Sequence, residues 1–164
     1  MIPKELLDKI DALNREDKLN LIKNLSQQLE ETKYDIPIEI FNNKTLSSLE
    51  AIVKYLREEF DLRFVKIANI LNRSDKTIWI TYKIAKKKLP TKFYVQESQI
   101  RIPVGVFSDR KISVLENIIF YLKNRDLSYD EITKIMNRKY STIVTVYNRA
   151  IKKNKPNAKK NVKK

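Results

Sequence analysis

The sequence predicts an all-α chain in which a unit of three helices occurs twice. Apolar residues recur at helical spacing through most of the 164 residues. Residues 62–85 align with residues 127–150 at an offset of 65, and residues 36–56 align with residues 102–122 at an offset of 66. Roughly twenty of about fifty aligned positions are identical, and such self-similarity indicates two copies of one structural unit. Two copies are too few for a solenoid, so we expect two small domains side by side.

The first 35 residues predict an N-terminal helical hairpin or a bent helix. Asn14, followed three positions later by Asp17, is a suitable N-cap between two helices. Each helix carries an apolar stripe, formed by Leu6, Leu7, Ile10 and Leu13 in the first and by Leu19, Ile22, Leu25 and Leu29 in the second. Two interpretations are open: this face packs on the first repeat, or it joins two chains in a homodimer.

The first repeat is assigned to residues 36–89 and the second to residues 102–153. Each opens with an alternating apolar segment that contains proline, which predicts a short extended arm. The two arms either pair with each other or wrap the helical core. A first helix is then expected at 46–60 in one repeat and at 112–124 in the other. Residues 90–101 form a linker, and the Lys-rich tail, residues 154–164, is expected to be disordered.

The end of each repeat has the pattern of a helix, a tight turn and a second helix. Ser128 and Glu131 have the spacing of a capping box that opens a helix. Asn137 suits the left-handed backbone that a sharp turn requires. Ile143, Tyr147 and Ala150 then give the following helix one apolar face, and its other face is polar and basic. This pattern predicts a DNA-binding helix-turn-helix, and Ile78, Tyr82, Ala85 and Leu89 repeat the apolar face in the first copy.

These residues resemble region four of bacterial sigma factors and its relatives. The resemblance rests on Ser128-Tyr129 with Glu131-Ile132, on Ser141-Thr142-Ile143, and on Arg149-Ala150 with Lys152-Lys153. It implies a three-helix fold whose last helix enters the major groove of DNA. It does not imply a complete sigma factor, because no stretch resembles the region that melts promoters.

The chain departs from the family pattern at several positions. Asn72 and Asn137 replace the turn glycine, and Arg73 and Arg138 follow where an apolar residue is usual. The first repeat lacks the Ser-x-x-Glu box, so Asp61 is expected to cap its helix instead. Its recognition helix carries Trp79, for which three interpretations are open: a core residue, a contact to thymine methyl groups or sugars, or a contact to a protein partner.

The predicted DNA-binding residues fall into two groups. Outward positions near the start of each recognition helix are candidates for reading bases: Asp75, Lys76, Thr77, Lys83, Lys139, Tyr140, Ser141, Thr142, Thr145 and Asn148. Other cations are better placed for the phosphate backbone, where they set affinity and salt dependence: Arg73, Lys86, Lys87, Arg138, Arg149, Lys152 and Lys153.

The composition favours a polyanionic partner and argues against an enzyme. The chain has 34 basic and 20 acidic residues, a net charge of +14, and no Cys or His. It therefore lacks disulfides and the usual ligands of zinc or copper, and its single glycine argues against a Gly-rich phosphate loop. No paired carboxylates or nucleophile–base set stands out, so we expect no catalytic residues, no cofactor and no metal. No apolar run reaches the roughly 18 residues of a membrane span, and no signal peptide is visible.

The leading functional prediction is a double-stranded DNA-binding protein, a transcription regulator that places two tandem modules in adjacent major grooves. Its expected location is the cytoplasm, associated with the nucleoid. The alternatives are an architectural protein that coats or bridges DNA with little specificity, and a protein-interaction adaptor that docks a partner at Trp79.

Overall fold

The computed structural model describes residues 3–95 and 97–154. These residues form eight α-helices, two 3₁₀ turns and one two-stranded sheet, so the mainly helical class is confirmed. The helices are α1 (Lys4–Asp11), α2 (Arg15–Lys33), α3 (Ser48–Glu59), α4 (Phe64–Ile70), α5 (Asp75–Lys88), α6 (Val114–Lys123), α7 (Tyr129–Met136) and α8 (Tyr140–Asn154). In the described residues, no helix combines the length and the apolar character that a membrane span requires. The sequence predicts a disordered tail at residues 154–164. Residues from 155 onward lie outside the described part of the chain, so this stays a prediction.

The two N-terminal helices are separated at the predicted cap. The Asn14 side chain accepts a hydrogen bond from the Asp17 backbone N–H at 2.8 Å, which confirms its role as the N-cap of α2. The apolar stripe of α2 is not buried, since Leu19 is 58% exposed and Ile22 is 60% exposed. The interpretation that this stripe packs on the first repeat is therefore wrong. Helix α2 packs on the arm that precedes α6.

The two arms pair with each other in an antiparallel sheet. Strand β1 (Asp35–Pro37) lies beside strand β2 (Arg101–Pro103), with Ile36 opposite Ile102. Each strand runs into a 3₁₀ turn, at Ile38–Phe41 in the first arm and at Val104–Phe107 in the second. Of the two alternatives predicted from the sequence, pairing is observed, and the arms also pack on the helical core through their 3₁₀ turns. The prolines flank the sheet at the ends of these three-residue strands, where a missing N–H donor is tolerated.

Each arm is followed by three helices that pack in the same order. Helix α3 packs on α5 and α4 packs on α5, and in the second half α6 and α7 both pack on α8. Capping boxes open three of these helices, formed by Ser47 with Glu50, by Ser113 with Glu116 and, as predicted, by Ser128 with Glu131.

The start of α4 differs from the prediction. The N-cap residue of α4 is Arg63, which makes no side-chain cap, so Asp61 does not cap this helix. Asp61 instead takes a left-handed backbone with φ 49°, and its carboxylate accepts a hydrogen bond from Arg57 at 2.9 Å. Aspartate tolerates this conformation better than most residues, so Asp61 ends the α3 segment rather than starting the next helix.

Most of the buried apolar side chains of both halves belong to one hydrophobic cluster. The arms lie at its centre, where Ile36 and Ile102 are fully buried and the rings of Phe41 and Phe107 are 6.3 Å apart. Three helices of this length enclose little apolar volume alone. The paired arms supply additional buried surface to both halves.

Candidate nucleic-acid interface

The turns that precede α5 and α8 have the same backbone. Asn72 has φ 50° and Asn137 has φ 49°, which confirms the left-handed conformation predicted at the turn. The residue after each asparagine donates its N–H to a carbonyl five positions back, from Arg73 to Ala68 at 2.8 Å and from Arg138 to Thr133 at 3.2 Å. This Schellman arrangement satisfies the last carbonyls of α4 and α7. It also fixes the angle at which α5 and α8 leave the turn.

Helix α8 has one apolar face and one polar face. Ile143, Val146 and Ala150 are buried, and Tyr147 is partly buried beside Phe120. The opposite side exposes Ser141, Thr145, Asn148, Arg149 and Lys152, all predicted from the sequence. Helical phase explains this division, because residues three or four apart share a side of the helix. The predicted inward positions Ile143 and Ala150 are therefore confirmed.

Helix α5 exposes a more apolar face than α8. Ile78 and Ala85 are fully buried, as predicted, but Trp79 is 45% exposed and Ile80 is 40% exposed. The interpretation of Trp79 as a core residue is therefore wrong. The Lys83 Nζ lies 4.2 Å from the centroid of the Trp79 ring, a cation–π contact on the helix surface.

The predicted DNA-binding residues lie along α5 and α8 and in the turns that lead into them. Most are exposed, and three are partly buried: Arg73, Arg138 and Thr142. The exposed members are Asp75, Lys76, Thr77, Lys83, Lys86, Lys87, Lys139, Tyr140, Ser141, Thr145, Asn148, Arg149, Lys152 and Lys153. The structure thus gathers them into two surface groups, one on each helix.

Two of the predicted cations are engaged in ion pairs that link helices. Lys86 Nζ lies 3.0 Å from Glu58 on α3 and donates to the Pro90 carbonyl at 2.8 Å. Lys153 Nζ lies 2.7 Å from Glu116 on α6. These contacts attach the ends of α5 and α8 to the first helix of each half. Lys86 and Lys153 therefore have a structural role, which helical phase alone did not indicate.

The two turn arginines combine a buried stem with an unsatisfied nitrogen. In the described part of the chain, the Nε atoms of Arg73 and Arg138 are buried and have no hydrogen-bond partner. Burial lowers the pKa of Arg73, and the positive charge of Arg110 lowers it further. Among the described residues, no carboxylate forms an ion pair with Arg73 or Arg138. A phosphate group is the kind of ligand that can pair with the positive charge of these partly exposed residues.

Three features of this surface were not identified from the sequence. Arg110 acts on Arg73 although the two residues belong to different halves. Lys88 pairs with Glu50 at 2.9 Å, in the way that Lys153 pairs with Glu116. Ile84 joins Trp79 and Ile80 as an exposed apolar side chain of α5. The aligned positions of Lys88 and Lys153 could have revealed the two salt bridges, whereas no sequence signal indicated that the charge of Arg110 acts on Arg73.

No protein-family model, curated protein or solved structure matches this chain.

Proposed function

We propose that this protein binds double-stranded DNA as a transcription regulator, through two tandem helix-turn-helix modules formed by α3–α5 and α6–α8. The observation that carries the proposal is the exposed polar and basic face of α8, which opposes a buried apolar face and follows a left-handed turn. A helix held in this way can enter a major groove and present side chains to base edges.

The α8 face offers distinct chemistry for bases and for phosphates. Asn148 can form a paired donor–acceptor contact with adenine, and Thr145 and Ser141 can reach either kind of base pair. Arg149 and Lys152 are exposed cations on the same helix and suit phosphate contacts. Arg73 and Arg138 support binding at the turns, because these partly exposed residues carry a positive charge that can pair with a phosphate.

The test is selection of bound duplexes from random-sequence DNA over several rounds, at two salt concentrations. Specific regulation predicts enrichment of one motif with two unequal half-sites about ten base pairs apart. Tight binding without enrichment, which collapses as salt rises, would instead indicate the architectural alternative. Absence of binding at moderate salt would contradict the DNA proposal.

Matched variants separate base reading from charge. We expect Asn148→Ala to relax selectivity at one base pair, with a loss of about 1–3 kcal/mol for the selected motif. Arg149→Ala should weaken binding to all DNA sequences alike and make binding less dependent on salt. Arg15→Ala removes the same charge from the exposed start of α2 and serves as the control, with little expected change.

A second candidate function is favoured by the apolar surface of α5. Trp79, Ile80 and Ile84 form an exposed patch on one helix, where α8 carries polar and basic residues instead. An exposed apolar patch is typical of a surface at which an adaptor binds a protein partner. If Trp79→Ala abolishes the binding of a protein partner in the absence of DNA, the adaptor function is supported. If Trp79→Ala instead abolishes the selection of half-sites that contain thymine, the patch contacts DNA.

The exposed stripe of α2 supports self-association as part of the proposal. Leu19, Ile22 and Leu25 are apolar and exposed along one helix. Pairing with the same helix of a second chain would bury them. In analytical ultracentrifugation, Ile22→Lys should convert a dimer to a monomer, whereas Lys23→Ala on the same helix should leave the dimer intact. A natural protein that is monomeric at all concentrations would contradict the homodimer.

A further inference from the structure

The paired arms meet at equivalent residues of the internal repeat. Ile36 lies opposite Ile102, and these are aligned positions of the two copies. Asp35 pairs with Pro103, and Pro37 pairs with Arg101, so exchanging the two copies reproduces the same pairing. An antiparallel pairing centred on equivalent residues has a local twofold axis between them, as in an isologous interface between two subunits.

Further contacts obey the same axis. Ile38 donates its N–H to the Ile100 carbonyl at 3.0 Å, and the aligned Val104 donates to the Tyr34 carbonyl, also at 3.0 Å. The aligned rings of Phe41 and Phe107 touch, with centroids 6.3 Å apart. Helix α3 also contacts its counterpart α6. Equivalent groups can meet one another in this way only close to a twofold axis.

The axis extends from the arms to the recognition helices. The 3₁₀ turn of each arm packs on the first helix of its own half, α3 or α6, and that helix packs on α5 or α8. Corresponding salt bridges fix the second contact, from Lys88 to Glu50 at 2.9 Å and from Lys153 to Glu116 at 2.7 Å. The turn of the first arm also packs on α7, and that of the second arm also packs on α2. Because the contact with the first helix is nevertheless the same in each half, the rotation that exchanges the arms also exchanges α5 and α8.

We infer that the DNA site of this protein is an inverted repeat, with its two half-sites in opposite orientation about a central dyad. The inference rests on the proposed DNA-binding function. The strands of DNA are antiparallel, so a twofold-related pair of reading helices meets the same base order on opposite strands. Two modules related by simple translation along the chain would require a direct repeat instead.

The two half-sites differ in sequence although they are inverted. At aligned positions α5 exposes Trp79, Ile80 and Ile84, whereas α8 presents Val144, Thr145 and Arg149. The first set has no base-specific hydrogen-bond donors beyond the indole N–H, and the second has a hydroxyl and a guanidinium. The natural site is therefore an imperfect palindrome in which the α8 half-site carries more of the hydrogen-bonded specificity.

The experiment makes the two reading faces alike in the full-length chain. The variant carries the α8 residues at the aligned, exposed positions of α5 and of its N-cap, through Ser74→Lys, Asp75→Tyr, Lys76→Ser, Trp79→Val, Ile80→Thr, Lys83→Asn and Ile84→Arg. Binding sites are then selected from random duplex DNA for the natural protein and for this variant. Circular dichroism of the variant checks that its helices are retained.

We expect the variant to select a perfect palindrome built from the half-site that the natural protein reads through α8. The same two half-sites arranged as a direct repeat with equal spacing should bind at least about tenfold more weakly, because only one of them is then read. Equal or tighter binding of the direct repeat would overturn the inference and leave DNA binding intact. Protection of a single half-site per duplex would overturn it in the same way, whereas failure of the natural protein to bind any duplex would overturn the proposed function as well.

Discussion

Lys153, at the end of α8, forms a salt bridge with Glu116, the third residue of α6, and the two side chains approach to 2.7 Å. Glu116 also accepts a hydrogen bond from the Ser113 backbone N–H at 2.7 Å, so one carboxylate both caps α6 and holds α8. Lys88 and Glu50 make the same contact between α5 and α3. The lysines thus tie the end of each proposed recognition helix to the first helix of its half.

The first prediction concerns the dependence of stability on pH. Burial raises the pKa of Glu50 and Glu116, but hydrogen bonds and charge from Lys88, Lys153 and the capping serines outweigh this, so both pKa values lie below the ordinary 4.5. The stabilisation is therefore present above pH 4.5 and is lost as pH falls through the lowered values. We expect the free energy of unfolding to decline in acid, measured by urea titration from pH 7 to pH 3.

Glu116→Gln tests this assignment directly. The variant should lose about 1–2 kcal/mol at pH 7, since a charged hydrogen bond is replaced by a neutral one, and should show a shallower decline in acid. Glu97→Gln, an exposed carboxylate in the linker, is the control and should leave the pH profile unchanged. An unaltered profile in Glu116→Gln would argue against the ion pair.

A second prediction follows from the buried Lys54. This lysine is fully buried and pairs with Glu58, which also accepts hydrogen bonds from Lys86 at 3.0 Å and from Tyr82 at 3.2 Å. Glu58→Gln should cost about 3 kcal/mol, because it leaves a buried ammonium without its counter-charge. Adding Lys54→Phe should recover most of this loss, since Phe120 occupies the aligned position of the second half. Thermal unfolding measures both, and the exposed Glu59→Gln is the matched control.

The third prediction is that the two halves unfold together. Ile102 is fully buried against the first arm, so Ile102→Ala should cost about 3 kcal/mol through lost burial and the cavity that remains. Trp79, the single tryptophan, reports on the first half alone. We expect its fluorescence and the circular dichroism of the whole chain to shift to the same lower urea midpoint. A fluorescence midpoint that stays in place would show that the halves fold independently.

The fourth prediction tests the turn before α8. Asn137 has φ 49°, a region that β-branched residues enter at high cost, so Asn137→Val should destabilise the protein by about 1–2 kcal/mol. Asn137→Gly should be close to neutral because glycine adopts this conformation freely. Asn124→Val provides the control, since Asn124 ends α6 with an ordinary φ of −71°. Urea unfolding of the three variants gives the comparison.

Local signals in the sequence predicted local structure well. Asn14 as an N-cap, the capping box of Ser128 and Glu131, and the left-handed Asn137 each depend on residues within a few positions of one another. Helical phase likewise placed Ile143 and Ala150 inside and Asn148 outside. For Trp79 three interpretations were open, and its exposed position excludes only the core residue, so that a contact to DNA or to a protein partner stays a prediction.

Such local signals did not predict the contacts between segments that are distant in the sequence. The arm pattern fitted both pairing and wrapping, and only the tertiary structure shows Ile36 opposite Ile102. The apolar stripe of α2 was compatible both with packing on the first repeat and with self-association. The exposure of Leu19 and Ile22 in the tertiary structure excludes packing on the first repeat.

The sequence by itself determined the helical class, the position of the turns and the residues that face outward on α8, because periodicity and capping act over a few residues. The tertiary structure alone decided that the halves share a core around their paired arms, that Lys86 and Lys153 form salt bridges between helices, and that the charge of Arg110 acts on Arg73. These relationships join residues 28 to 66 positions apart. Their geometry depends on how whole helices pack, and no short stretch of sequence contains that information.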